Sequence, residues 1–492
     1  MDKALESMLQ QLSELELKMV QTVESQLPLI DSLHPSQKES AKNLLHYLSL
    51  RQQDIRELQD QLHEYGLSSL SSSEGHILRQ LQAIQERMGK KYTKAQISTS
   101  TKDFNSKILK EKNLQLFGTR KEEDIPYIMV TFDSGFADNY ALIKSLLQSG
   151  MNVARINCAH DNEMVWAKMI QKLKKACLHT GLPCKVYMDL AGPKIRTKLL
   201  GKGKDKGKVK VEEGQLIWLA ESEKGFEKED IVISPTESGI LPQLKKGERV
   251  YIDDGVIRCV IEKVKKEKVG LRITRVSSPK KQIKAEKGIN FPDSEIEIPS
   301  LTKFDISCLP FIAEHADLIG YSFVRKAEDI QFLRSHLTQS TGTYPGLIVK
   351  IETPQAVKKL PALLMEGMKQ ADFGVMIARG DLAVEIGFER LGEIQEEILW
   401  ICEAAHVPVV WATQVLESLN KSGMATRSEI TDASHAAHAE CVMLNKGPHT
   451  IEVLETLKDV LRRTASHKTK KRYRFRPLRI AQRFFETNAQ EG

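Results

Sequence analysis

Between residues 346 and 386, charged side chains interrupt apolar runs at spacings that suit an anionic substrate. Lys350 lies among Leu347, Ile348, Val349 and Ile351 and is followed at once by Glu352; downstream, Val375, Met376 and Ile377 lead into Arg379, Gly380 and Asp381. Such short runs, separated by a helix-length segment from Pro354 to Met368, read as β-α-β with both strands buried. Their charges fall at the carboxyl ends of the strands, where α/β folds place chemistry. Hard carboxylate oxygens hold Mg2+, while an ammonium beside them neutralises phosphoryl charge in transfer. Charges on buried apolar strands are costly as mere strand-end ion pairs, so we read them as a site.

The rest of the chain must position these groups. Its 492 residues predict two to four domains, and 41% hydrophobic content supports a sizeable core. No apolar run approaches the length of a membrane span. The amino terminus, MDKALESMLQQLSELEL, mixes acids with leucines and lacks an apolar signal core, so a secretory signal is not expected. The seven cysteines are scattered, odd in number and without CxxC spacing, which predicts reduced thiols in a cytoplasmic setting and no zinc site. The net charge is +7, but ten Lys and Arg and no acid lie between Arg462 and Arg483, leaving the remainder near neutral.

Amphipathic periodicity predicts an amino-terminal helical domain over 1–90, its helices breaking at Pro28 and Gly66, with a polar linker over 91–125. Strand and helix patterns alternate over 126–196 and again over 288–460, giving eight strands, the rhythm of a (β/α)8 TIM barrel of the α/β class. Between them, residues 197–287 turn to short alternating strands with Gly and charged turns, a small β-barrel domain inserted after the third barrel strand. Residues 461–492 form a basic tail. It interleaves arginines with aromatics, yet a solvated extension packing on acidic surface is the expectation and a nucleic-acid partner is not.

From about Tyr127 to Leu457 the chain resembles the pyruvate kinase family, through NVARINCAH, DLAGPKIRT, YIDDG, KGINFP, SFVRK, KIETPQAV, GVMIARGDLAVEI, WATQVLES and ATRSEITDA. The set together is specific, although each motif alone is weak. The resemblance implies phosphoryl transfer from phosphoenolpyruvate to ADP in a cytoplasmic homo-oligomer with no membrane partner, the inserted β domain acting as a lid. It implies that Glu352 and Asp381 bind Mg2+ or Mn2+ and that Lys350 lies against the phosphoryl in flight. Arg155 would clamp the phosphate, the Gly380 and Asp381 amides would hold the substrate carboxylate, and Thr413 would relay the proton to carbon. Arg196, His160 and Asn157 would approach the nucleotide. The family's monovalent-cation cage is half present, because Asn157 and Asp189 match while Ala159 and Leu190 occupy the hydroxyl positions. Lys194 stands where potassium-dependent members carry Glu, so K+ is predicted not to be required. Ala191, Phe132-Asp133-Ser134 and Asn445-Lys446-Gly447-Pro448 depart from the family near the nucleotide. They leave open a phosphoenolpyruvate- or keto-acid-utilising lyase or transferase with another acceptor, or a non-catalytic kinase-like protein. The family's carboxyl-terminal effector domain has no counterpart after Leu457, so the usual effector is not expected and the amino-terminal helices are the expected substitute for its subunit contact.

Overall fold

In the computed structural model, which describes residues 3–277, 280–340, 344–469 and 472–473, eight buried runs close on one another. Tyr127–Phe132, Val153–Asn157, Lys185–Asp189, Leu318–Tyr321, Gly346–Ile351, Phe373–Ala378, Val409–Ala412 and Cys441–Leu444 pair in parallel in chain order, and the last strand pairs with the first. This is the barrel that the β-α rhythm predicts. Leu347, Val349 and Ile351 pack outward in the core shared with the helices, whereas Ile348 joins Met129, Val153, Tyr187, Leu318, Met376, Val410 and Met443 inside the barrel. A side-chain period of two then fixes the next interior layer towards the carboxyl ends. It consists of Thr131, Arg155, Asp189 and Lys350, in register across neighbouring strands at Thr131↔Arg155. The interior thus changes within one residue pair from apolar to charged along three strands and to a hydroxyl along the fourth.

The other end of the barrel is stoppered. Residues 91–125, expected to be a linker, contain a 16-residue helix, Lys102–Phe117, capped by the Thr101 side chain accepting from Phe104 N. Its Leu116 and Phe117 belong to the interior cluster. The helix escaped the sequence reading because its buried positions, Leu109, Lys112, Leu116 and Phe117, include a lysine and form no regular stripe.

The insert carries a seven-stranded sheet with its own apolar core and a separate two-stranded pair, Lys208–Lys210 with Gln282–Lys284. Its return strand, Ile289–Asn290, still pairs with Arg249–Ile252, so the sheet reaches just past residue 287. The two connections to the barrel bond to each other, Thr197 N donating to Lys287 O at 2.7 Å and Ile289 N to Ile195 O at 2.8 Å. They leave the barrel as one antiparallel ribbon.

At the amino terminus, Lys3–Ser25, Lys38–Arg51, Arg56–Glu64 and Ile77–Arg87 form a helical layer. The stretch expected as one second helix is two, interrupted around Asp54, whose side chain accepts from Arg56 N. This layer shares one continuous core with the barrel helices. The seam is also specific in its polar groups: Asn43 Nδ2 donates to Ala404 O at 2.8 Å, Gln37 Nε2 to Ala371 O at 2.8 Å, and His406 bonds Ser40 Oγ at 2.9 Å.

Lys112 is buried in the same seam, donating to Gln37 Oε1 at 2.5 Å and Ser40 Oγ at 3.1 Å. Burial pulls its ammonium down to about 7. A lysine depressed in the folded state loses its stabilising balance as pH falls through the folded value. Wild-type stability should therefore rise from about pH 7 towards pH 10, while Lys112→Met should flatten that rise and be more stable at pH 7 by on the order of 1–4 kcal/mol. Urea unfolding across this range checks it; a less stable Met variant with an unchanged profile would refute it.

Candidate active site

The charged layer is a connected network. Arg155 Nε and Nη2 donate to Asp189 Oδ2 at 2.9 and 2.6 Å, and Nη1 donates to Thr131 Oγ at 3.0 Å. From the other side Lys350 Nζ reaches Asp189 Oδ2 at 3.3 Å, Glu352 Oε1 at 3.2 Å and Ser322 Oγ at 2.8 Å. Glu352 Oε2 accepts from Phe323 N at 2.6 Å. Room for this layer depends on Gly320, where a Cβ would fall 1.9 Å from the Tyr187 hydroxyl and 2.6 Å from Asp189 Oδ1. Any larger side chain there would break the layer.

Burial would raise the Asp189 carboxyl, but Lys350 and Arg155 outweigh it and hold it below the ordinary value. Burial opposes the charge on Lys350, and Asp189 and Glu352 overcome that and raise it. Glu352 is different: burial pushes it up, Lys350 compensates in part, and the nearby Asp381 carboxylate pushes it further. A buried carboxylate raised in part by a second carboxylate beside it marks a close pair of hard oxygen donors, which is the chemistry of a divalent-cation site. Glu352 and Asp381 therefore fit Mg2+ or Mn2+.

Lys194 stands against this pair. Although Lys194 replaces a Glu of the monovalent-cation region, its Nζ lies 2.6 Å from Asp381 Oδ1. The partners of Asp189 are Arg155 and Lys350. Lys194 comes from the segment leading into the lid ribbon, so it joins the hinge to the candidate metal carboxylate.

Gly380 and Asp381 lie in the first turn of helix Arg379–Ile386. The Gly380 amide donates to Thr413 Oγ1 at 2.7 Å, joining two residues expected to touch substrate. Thr413 has φ +67°, followed by Gln414 at φ +57°, a left-handed turn that a β-branched residue adopts only under constraint. Arg379 supplies that constraint: it donates to Ala412 O at 3.0 Å and to Thr413 O, pairs with Asp432, and lies 4.4 Å above the Trp411 ring.

The residues expected near a nucleotide are placed more loosely. Asn157 Oδ1 accepts from Ala159 N at 3.1 Å, and Arg196 Nη1 donates to Glu286 O in the lid ribbon at 3.0 Å. Burial lowers the His160 imidazole, and Lys446, Arg196 and Arg155 lower it further, so these cations share one rim of the barrel mouth. Lys446 occupies one of the departing loops and adds positive charge there.

Three contributors escaped the sequence reading. Ser322, the hydroxyl partner of Lys350, follows the fourth strand, and its strand-end position was the available signal. Arg379 was passed over as a neighbour of its amides. Glu385, one helical turn beyond Asp381, accepts from Asn290 Nδ2 at 2.7 Å and lines a cavity of about 160 Å³ with Lys194 and Arg325. Burial, with Asp381 beside it, raises its carboxyl to about 7.

Residues 128–449 match the family described as pyruvate kinase, barrel domain. The chain is 33% identical to a pyruvate kinase of Dictyostelium discoideum over 65% of its own length and 62% of that enzyme. For pyruvate kinase PKLR of Rattus norvegicus the figures are 32%, 69% and 59%. For a pyruvate kinase of Thermotoga maritima they are 32%, 66% and 67%. The chain thus spans less than two thirds of the length of the first two.

Any cation at the carboxylate pair must displace Lys194 from Asp381. Lys194→Met should bind Mn2+ about fivefold tighter in the absence of substrate, the worth of a part-exposed ion pair. Electron paramagnetic resonance titration of free Mn2+ measures it, and unchanged or weaker binding would show that the ammonium does not compete there.

Proposed function

The chain belongs to the pyruvate kinase family, and from that premise we propose that it moves the phosphoryl group between phosphoenolpyruvate and ADP, giving pyruvate and ATP without a requirement for K+. The observation that carries this reading is the buried Lys350 ammonium, set between Asp189 and Glu352 with Arg155 on the far side of Asp189. Phosphoryl transfer asks a protein for position and charge more than for covalent chemistry, and this layer supplies both.

In this mechanism the P–O bond of the enol phosphate breaks as a β-phosphate oxygen of ADP bonds to phosphorus. The electron pair left on the enol oxygen is then neutralised when C3 takes a proton. Arg155 holds the phosphoryl oxygens through its guanidinium fork, and Lys350 meets the charge that builds between donor and acceptor. A divalent cation held by Glu352 and Asp381 would supply further positive charge to the phosphoryl and enol oxygens. The start of helix Arg379–Ile386 orients the substrate carboxylate. Since Gly380 N–H donates to Thr413 Oγ1, the hydroxyl hydrogen of Thr413 remains free to donate towards C3 through water. Arg196, His160 and Lys446 attract the nucleotide phosphates, and the lid excludes water on closing.

Turnover should be measured with phosphoenolpyruvate, ADP and Mg2+, coupling pyruvate to a dehydrogenase. Lys350→Met should keep Mn2+ binding and lose about 100-fold or more in kcat, because its charge acts in the transition state. An unchanged kcat with a raised KM would make Lys350 a binding residue only, and a wild-type protein inactive under all salts would overturn the reading.

Potassium independence follows from the charge balance. Asp189 is already matched by two cations, Ala159 and Leu190 offer no hydroxyl ligands, and Lys194 adds a further positive charge at the mouth, on Asp381. The enzyme should run about as fast in tetramethylammonium buffer as in KCl, and Lys194→Glu should slow it without creating potassium activation. Strong activation of the wild type by KCl would refute this.

A further inference from the structure

Outside the barrel, in the layer of helices that covers it, lies a second group of metal-ligand side chains. Glu396 projects from helix Leu391–Ala404, His435 is the last residue of helix Arg427–His435, and His438 closes the short 3-10 turn that follows. Their donor atoms, two imidazole nitrogens and one carboxylate oxygen, all lie within 4.8 Å of one another. His435 Nε2 is in direct contact with Glu396 Oε1, and the His435 and His438 rings meet edge to face with centroids 4.7 Å apart. His438 is buried, while His435 and Glu396 are partly open to solvent.

We propose that Glu396, His435 and His438 form a binding site for a transition-metal dication of the Zn2+, Co2+ or Ni2+ type, separate from the Mg2+ carboxylates. Two imidazoles with one carboxylate suit these ions and not Mg2+, which prefers an all-oxygen shell. Donors on one tetrahedral ion at about 2.0–2.1 Å sit roughly 3.4 Å apart, so the three groups reach a metal by side-chain shifts on the order of 1 Å, His435 and Glu396 parting slightly to admit it. Three protein ligands leave a coordination position for water on the open side. The cysteines, scattered through the fold and unbridged, take no part. The bland alternative is a histidine–glutamate ion pair stacked on its neighbours.

The site also has a route inward. The His435 ring packs on Trp411, centroids 5.3 Å apart, and the other neighbour of Trp411 is Arg379, the residue that holds the Thr413 turn and pairs with Asp432 three positions before His435. A metal entering between His435 and Glu396 parts them and therefore acts on the helix that anchors Arg379.

The test uses full-length protein stripped with chelator and titrated with Co2+ in excess Mg2+, read by visible absorption and by metal content after gel filtration. Wild type and Glu352→Gln/Asp381→Asn should each bind one Co2+ with the intense bands of low coordination number and a raised Tm. His435→Gln and His438→Gln should each weaken binding about tenfold or more and abolish the Tm shift. Glu396→Gln, which keeps the shape of its side chain, should weaken it as well, so the result does not depend on the histidine variants folding. Failure of the wild type to bind, binding indifferent to all three substitutions, or binding lost in Glu352→Gln/Asp381→Asn would overturn the proposal. None of these outcomes depends on whether the protein is a kinase.

Discussion

The pairing of Arg155 and Lys350 with Asp189 inside the barrel is the constraint from which the rest of the structure follows. Three charged groups in one dry layer are tolerable only as a set: removing any one strands its partners in a medium that solvates charge poorly. Tyr187 and Thr131 bond two of the members, and Gly320 gives up its side chain to make room. The layer beneath is apolar but for the Tyr187 hydroxyl, so the charges are displaced towards the carboxyl ends of the strands, the end from which the insert projects. The position of the candidate site is thereby set by a sheet period of two and by the need to keep opposite charges together.

Much of this was legible in the chain. Eight short apolar runs alternating with helix-length segments specify a barrel, and the residue that breaks each run marks the layer where chemistry belongs. Lys350 and Glu352 could be picked from a single stretch because adjacent charges have no place in a doubly buried strand. Partnership was less legible, because it depends on distances across the barrel. Lys194 meets Asp381, 187 positions away in the chain, and Arg379 turns back on the next strand rather than towards substrate. Helix Lys102–Phe117 was hidden for another reason: it buries a lysine and inserts its end between strands, so no amphipathic stripe announces it.

The helical layer at the amino terminus shares a single apolar core with the barrel helices. Its polar contacts reach Ala404 O at a helix end and Ala371 O in the connection before strand Phe373–Ala378, and so satisfy acceptors that would otherwise need water. It serves as part of the barrel's wall. The insert, in contrast, keeps a core of its own and departs on a ribbon whose two strands bond each other. A paired ribbon resists splaying, so the insert is tethered by one doubled connection rather than by two independent ones.

Closure of the barrel has a consequence for how the chain reaches its fold. The first barrel strand pairs with the last, Tyr127 against Cys441, so that ladder waits until all eight barrel strands have been made. Until then both flanking strands present unsatisfied edges, the kind of surface that recruits other chains. Such distant pairings make for slow folding. Leu116 and Phe117, which precede all eight barrel strands, are made ahead of them and offer an apolar surface on which successive strands can gather before the ring is complete. A segment with the composition of a connector is thus placed to act as an internal mould during synthesis, ahead of the sheet it finally seals.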